Sequence, residues 1–418
     1  MFILYEVLLY LVLLPALPYL LLTGRLRGKY LSNLPQRLGS YRHGARPHDL
    51  WVHAVSVGEA LAARPLIEEI LALRPGTSIV FTTTTLTGQT QAQRLYPAAT
   101  VTYFPFDFAF AVRRFLEHHR PRVFATMETE IWPNATRLAK SRGLRILLAN
   151  GRISDRSFPR YRAIRMFLAP LLRKYDRILV REHTDRERFI AIGAPPDIVE
   201  ISGNVKFDFE PDERRLDYEA LLLRMIAGRP VLVLGSTMEG EDEALLPEIE
   251  RLAATHPVFT VIAPRKPERF DAVASLLAGS RLRSVRRSDL PGLEERQTDV
   301  LLLDVFGELP KIYRYATAAF VGGTLVPIGG HNPIEPAAAG VPVCFGPSMT
   351  NFREIAEIFL LRGAALEVND AAGVADFAAR MFSDPAAQHR FGEKARETVL
   401  ENRGASALTA GRIVELLT

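Results

Sequence analysis

Three glutamates and a glycine-rich run carry most of the chemistry that can be read from this sequence. Glu59 follows Ser56-Val57-Gly58 where a strand gives way to a helix. A lone carboxylate aimed into a cleft from that point would take a proton from a sugar hydroxyl. The position equally suits a first-turn glutamate that only favours the helix dipole. Glu128 and Glu130 flank Thr129 at a second strand end, so at most one of them faces a cleft if the strand continues there. In the second half, GGTLVPIGGHNPIEP (322–336) combines Gly322, Gly323, Gly329 and Gly330 with a helix start predicted near Pro333. Backbone N–H groups there would hold a phosphate, and Glu335 in the first turn would accept from ribose hydroxyls. The plainer alternative is a turn with Asn332 as N-cap and Glu335 serving the helix dipole. Arg265 and Lys266, after VIAP, read either as a phosphate or carboxylate clamp or as solvated surface charge. Lys206 in SGNVKFD (202–208) stands where two halves join and can reach an anionic ligand.

Several chemistries drop out. Neither a GxGxxG fingerprint nor a Walker loop is present, which removes support for NAD and P-loop ATP. GxSxG is absent, so a serine hydrolase is unsupported. His53 and His331 lack metal-ligand spacing and no H-E-x-x-H occurs, so no built-in metal site is expected. The single cysteine, Cys344, excludes a disulfide framework, a Cys-rich zinc site and an iron–sulfur cluster.

The elements that must position these residues alternate between two kinds. Near-continuous apolar runs at 50–56, 78–85, 123–128, 145–150 and 176–180 read as strands in the first half. Runs at 230–236, 258–264, 299–304, 318–323 and 341–346 repeat the pattern in the second. Helical stretches such as Ala60–Leu73, Phe108–His118 and Phe158–Arg173 lie between strands. Strands apolar on both faces and separated by helices imply parallel α/β sheets. Ligands of such sheets bind at the carboxyl ends of the strands, where the unusual residues cluster. A cleft between two such domains would make a two-substrate site. Residues 23–207 are read as one domain, 208–224 as a charged linker holding Pro211, and 225–418 as the second domain.

Met1–Leu22 carries one charge, Glu6, among apolar and aromatic residues, followed by Arg25, Arg27 and Lys29. About 20 apolar residues match a bilayer's hydrocarbon core, and the basic flank places the rest of the chain on the cytoplasmic side. Pro15 and Pro18 would also permit a segment that bends back within one leaflet. Residues 1–205 hold 28 Lys+Arg against 16 Asp+Glu, a balance of +12, whereas the remainder holds 24 against 31, or −7. The first half should therefore meet something anionic.

Taken together, WVHAVSVGEALAARPLI (51–67), TTTTLTGQ (82–89), METEIWPN (127–134), ANGRIS (149–154), SGNVKFD (202–208), APRKPERF (263–270), GGHNPIEPAAAGVPV (329–343) and NFREI (351–355) resemble the bacterial Kdo transferases. These enzymes move 3-deoxy-D-manno-oct-2-ulosonic acid (Kdo) from CMP-Kdo to the lipid A precursor, lipid IVA, in lipopolysaccharide synthesis. The resemblance implies a GT-B glycosyltransferase fold of two Rossmann-like domains facing across a cleft, with the last helix crossing back to the first. It also implies an N-terminal membrane-anchor helix, inversion at the anomeric carbon, no metal and no cofactor. Expected partners are CMP-Kdo, the anionic glycolipid acceptor and the inner-membrane surface, with no nucleic acid. Residue by residue, the family's catalytic glutamate falls on Glu59, and the METE glutamates fall on Glu128 and Glu130. The nucleotide side falls on Ser236, Arg265, Gly330, Asn332 and Glu335, with Gly329 and Lys206 added as donor contacts. Two positions depart from the family's pattern. Met238 replaces the histidine of GSTHEGE, and Ser348 replaces that of GPHTFNF. Two other readings use the same architecture or charge: a UDP-sugar enzyme of the 2-epimerase kind, and a non-catalytic lipid-A-binding membrane protein.

Overall fold

The computed structural model describes residues 5–11, 33–41, 44–211, 214–290 and 297–418. The chain divides into two units, Met1–Asp208 with Arg403–Thr418, and Phe209–Asn402.

The first unit is built on a parallel sheet of β1 (Leu50–His53), β2 (Ile79–Thr83), β3 (Thr100–Tyr103), β4 (Val123–Met127), β5 (Arg145–Gly151), β6 (Arg177–Val180) and β7 (Val199–Ile201). Their order is β3-β2-β1-β4-β5-β6-β7. Because side chains alternate along a strand, β1 sends Trp51 into one apolar layer and Leu50 and Val52 into the other. Both layers are roofed by helices, which is why β1, β2 and β4 are buried at every residue. Helix α1 (Val57–Leu73) covers the second layer with Ala60, Ala63, Leu66, Ile67 and Ile70. The chain's last helix, α5 (Ala405–Leu417), packs into that same layer through Ala405, Ala410, Ile413 and Leu417. Asp208 holds its start by accepting the N–H groups of Gly404 and Ser406, both at 2.6 Å.

The second unit repeats the plan with β8 (Val231–Thr237), β9 (Phe259–Pro264), β10 (Ser284–Arg286), β11 (Val300–Leu302), β12 (Ala318–Val321), β13 (Val343–Phe345) and β14 (Ala365–Glu367), ordered β10-β11-β9-β8-β12-β13-β14. Leu232, Leu234 and Phe320 enter one layer, Val231, Val233 and Ala319 the other. The stretch 208–224, read from sequence as a linker, instead buries Leu216, Tyr218 and Leu222 in this second layer, so the unit begins at Phe209.

Of the expected anchor over 1–22, residues 12–22 and 1–4 lie outside the described residues. Residues 5–11 are helical and touch the first unit, with Tyr5 donating to Asp107 Oδ2 at 2.9 Å. Among the described residues no helix is long and apolar enough to cross a membrane.

Candidate active site

In each sheet the strand order reverses beside the first strand, between β1 and β4 and between β8 and β12. Loops leaving such a pair of strands diverge and open a crevice at their carboxyl ends. The glutamates of the first half leave β1 and β4, and the glycine-rich run leaves β12.

Ser56 is the N-cap of α1 in extended conformation, and its hydroxyl oxygen accepts the Glu59 N–H at 3.3 Å. The Glu59 carboxylate reaches back, Oε2 accepting the Val55 N–H at 2.8 Å and Oε1 the Ser56 hydroxyl at 3.1 Å. The Glu59 carboxylate therefore braces the two residues just before its helix, but these two bonds use only half of a carboxylate's accepting capacity. Burial pushes its pKa up to about 7, with the negative charge of Glu128 and, more weakly, Glu130 adding to the rise against the two hydrogen bonds.

Glu128 follows the last residue of β4 with φ +55°, a left-handed conformation that costs a non-glycine residue energy. Its Oε1 lies 2.7 Å from Arg181 Nη2 and 3.8 Å from Lys206 Nζ. Burial works against its ionisation, but Arg181, Lys206 and Arg152 together hold its carboxyl below the usual value. Burial, reinforced by the charge of Glu128 and opposed by the Trp132 side chain, raises the Glu130 carboxyl. The turn ends where helix α2 (Pro133–Ser141) begins. Two residues of this cluster were not foreseen as such. Arg181, with 2 % of its side chain exposed, is the first residue past β6, a strand-end signal available in DRILV-R. Lys206, expected on the donor side, stands in the first unit beside Glu128.

In the second unit Ser236, near the end of β8, also takes a positive φ, +59°. Gly322 passes so close that a Cβ would lie 2.5 Å from the Ser236 carbonyl oxygen, so no larger residue fits. The glycine loop is then pinned by a residue that sequence reasoning left out. Glu241, the first residue of helix α3 (Glu241–Thr255) and 1 % exposed, accepts four backbone N–H groups. Oε2 takes Met238 at 2.9 Å and Gly323 at 2.6 Å, and Oε1 takes Thr324 and Leu325, both at 2.9 Å. At Gly323–Leu325 the amides of this loop are thus already held by a buried carboxylate.

Further along, Gly329 (φ +100°) and Gly330 (φ +78°) turn the chain. The Gly329 N–H donates to Ser348 Oγ at 3.0 Å, which gives that unusual serine a structural task, while Met238 buries its side chain. The predicted helix start is real but short, α4 (Ile334–Ala338). Asn332 Oδ1 accepts the Ile334 N–H at 3.1 Å, and its Nδ2 donates to Glu335 Oε1 at 3.3 Å. Burial raises the Glu335 carboxyl, opposed by Asn332 and by the charge of Arg265. Burial and Arg265 lower His331 to about 4, so its ring is neutral at pH 7. Arg265, exposed after β9, joins this group electrostatically and ties its N–H to the Thr237 carbonyl at 2.9 Å. Among the described residues no cluster of His, Cys, Asp and Glu could hold a metal ion.

With this geometry in view, a family model described as 3-Deoxy-D-manno-octulosonic-acid transferase (kdotransferase) matches residues 32–209. The 3-deoxy-D-manno-octulosonic acid transferase of Haemophilus influenzae is 34% identical over 387 residues, covering 90% of each chain. That of Bordetella pertussis is 36% identical over 408 residues, covering 94% of each. In three dimensions the chain is similar to UDP-GlcNAc 2-epimerase from Neisseria meningitidis, with a TM-score of 0.58 over 88% of this chain and 99% of the other. At 12% identity that likeness concerns the two-unit GT-B fold alone.

Proposed function

The chain belongs to the 3-deoxy-D-manno-octulosonic acid transferase family, and we propose that it moves Kdo from CMP-Kdo to the lipid A precursor, lipid IVA, with inversion. The observation that carries the mechanism is Glu59, a carboxylate at the β1/β4 switch point whose pKa of about 7 suits a general base at neutral pH. The acceptor is a primary sugar hydroxyl, a poor nucleophile until its proton leaves. As its oxygen bonds to the anomeric carbon of Kdo, the proton passes to a free lone pair of Glu59. The bond from that carbon to the phosphate oxygen breaks, and CMP departs with the electron pair. Charge grows on the phosphate, and Arg265 is the cation beside Glu335 and Asn332 that meets it. Glu335 takes the ribose hydroxyls, with Ser236, Gly329 and Gly330 shaping the backbone around the nucleotide. Glu128, held ionised by Arg181 and Lys206, keeps a fixed charge next to the base, and Glu130 lies on the acceptor side.

The acceptor's phosphates and acyl chains account for two further features. The first unit carries the basic excess, and between its helices Phe158–Ala163 and Arg165–Leu172 it exposes Ile164 (49 %), then Met166 (88 %), among exposed Arg156, Arg160, Arg162 and Arg165. Apolar side chains ringed by arginines suit an anionic membrane surface. The N-terminal segment adds exposed Val7, Leu8 and Leu11. Both features support a reading in which the enzyme works at the cytoplasmic face of the inner membrane.

The test is incubation of the purified protein with CMP-Kdo and a tetraacyl lipid A precursor, followed by mass spectrometry. A mass gain of one or more Kdo residues with release of CMP is expected. Turnover of a UDP-sugar with CMP-Kdo untouched would instead favour the 2-epimerase reading. Lipid A binding without any turnover would favour the non-catalytic one.

A further inference from the structure

The N-terminal segment makes polar contacts that a greasy tether does not need. Besides the Tyr5 bond to Asp107, Glu6 Oε1 accepts the N–H of Ala109 at 3.1 Å. Tyr5 also lies against Phe167, and Tyr10 against Phe108, with ring centroids 5.9 and 5.1 Å apart. Ala109 opens the helix Ala109–His119, whose own N-cap, Phe108, has no side-chain acceptor, so Glu6 supplies one from a distant part of the chain.

Asp107 performs the same service for α2. Trp132, the N-cap of α2, likewise lacks a side-chain acceptor. Asp107 Oδ2 accepts the Asn134 N–H at 2.9 Å, Oδ1 the Ala135 N–H at 2.8 Å, and its carbonyl the Asn134 Nδ2 at 2.6 Å. Trp132 and Pro133 follow directly on Glu128–Ile131. Asp107 therefore fixes the far end of the turn that carries Glu128 and Glu130, while Tyr5 shares the Oδ2 atom that does so.

We propose that Tyr5, Glu6 and Asp107 are positioning residues through which the docked N-terminal segment sets the geometry of the Glu128–Trp132 turn, so that Kdo transfer depends on docking and not merely on being near a membrane. This rests on the functional reading above. When Tyr5 withdraws, Asp107 Oδ2 loses one of its two donors, the carboxylate is held only by the α2 N–H groups it caps, and its position relative to them relaxes. The carboxylates next to Glu59 shift with it, and small misplacements of such groups are costly in rate.

The experiment uses the full-length chain in detergent micelles with CMP-Kdo and the tetraacyl precursor. Tyr5→Phe removes one hydroxyl and keeps the ring, and Tyr5→Phe combined with Glu6→Gln weakens both contacts. Rates are expressed per CMP-binding molecule, so that unfolded protein is not counted. For Tyr5→Phe, kcat is expected to fall about three- to tenfold, the scale of one ordinary net hydrogen bond. The double variant should fall further. The KM for CMP-Kdo and the pelleting of the protein with inner-membrane vesicles should stay within about twofold of wild type, a margin well under one hydrogen bond. Unchanged kcat in both variants, or a KM for CMP-Kdo that rises in step with the loss of kcat, would overturn the proposal. Wild-type protein that transfers no Kdo would instead sink the functional reading itself.

Discussion

Arg181 Nη2 lies 2.7 Å from Glu128 Oε1, and this contact separates the roles of two neighbouring carboxylates. With its guanidinium almost wholly out of solvent, Arg181 keeps Glu128 ionised and engaged, a poor acceptor for a proton in flight. The charge thus fixed falls on Glu59, where it joins burial in raising the pKa. Two carboxylates in unlike surroundings acquire unlike tasks.

The first prediction concerns pH. A base works only when deprotonated, so single-turnover transfer should rise from pH 6 to pH 8 through a midpoint near the Glu59 value of about 7. Glu128→Gln removes a negative neighbour, makes the Glu59 anion less unfavourable, and should move that midpoint to lower pH. A rate profile flat over this range in wild type, or a midpoint that moves upward in the variant, would contradict the assignment.

On the donor side, Glu335→Ala should weaken CMP binding by about 1–3 kcal/mol through loss of an acceptor for the ribose. Arg265→Ala should reduce both donor affinity and turnover, because phosphate charge grows as CMP leaves. Titration calorimetry giving wild-type CMP affinity for both variants would place the nucleotide elsewhere.

Glu241 offers a separate test. Removing its carboxylate in Glu241→Ala strands three buried N–H groups and a fourth, half-buried one, so the second unit should lose about 3 kcal/mol or more of stability. Glu241→Gln keeps the size but replaces one oxygen with a donor, and should recover only part of it. Chemical denaturation measures both. An alanine variant as stable as wild type would mean that the loop does not depend on this carboxylate.

How much of this was legible in the sequence follows from burial. The central strands, from β1 and β4 to β8 and β12, announce themselves as unbroken apolar runs because both faces are covered. Those that escaped notice, β3, β7, β10 and β14, are the four sheet edges. They are short and partly exposed, with Ser284 and Glu367 open to solvent, so TVTY, VEI, SVR and ALE carry no such run. The split of Phe158–Arg173 into two helices at Ile164 was equally hidden. At the site, Glu59, Glu128 and Glu335 stand out as carboxylates at strand ends or helix starts. Their partners do not, because pairing Arg181 with Glu128 or Glu241 with Leu325 joins residues 53 and 84 positions apart. Lys206 is legible as a junction residue, since the first unit ends at Asp208, but its approach to Glu128, 78 positions earlier, is not. The positive φ of Glu128 and Ser236 has no sequence signal at all.

The central claim is that Glu59 accepts the acceptor's proton, and single-turnover kinetics of Glu59→Gln with CMP-Kdo and acceptor both saturating test it most directly. Glutamine keeps the size and can still accept the Val55 N–H, yet cannot take the proton. The rate should fall by ~10²–10⁴-fold, with CMP affinity and folding nearly unchanged. If Glu59 serves only its helix, neutralising it costs about 0.3–1 kcal/mol of stability and little activity. A variant that keeps more than about a tenth of the wild-type rate, below the range of a general base, would contradict the account and turn attention to Glu130.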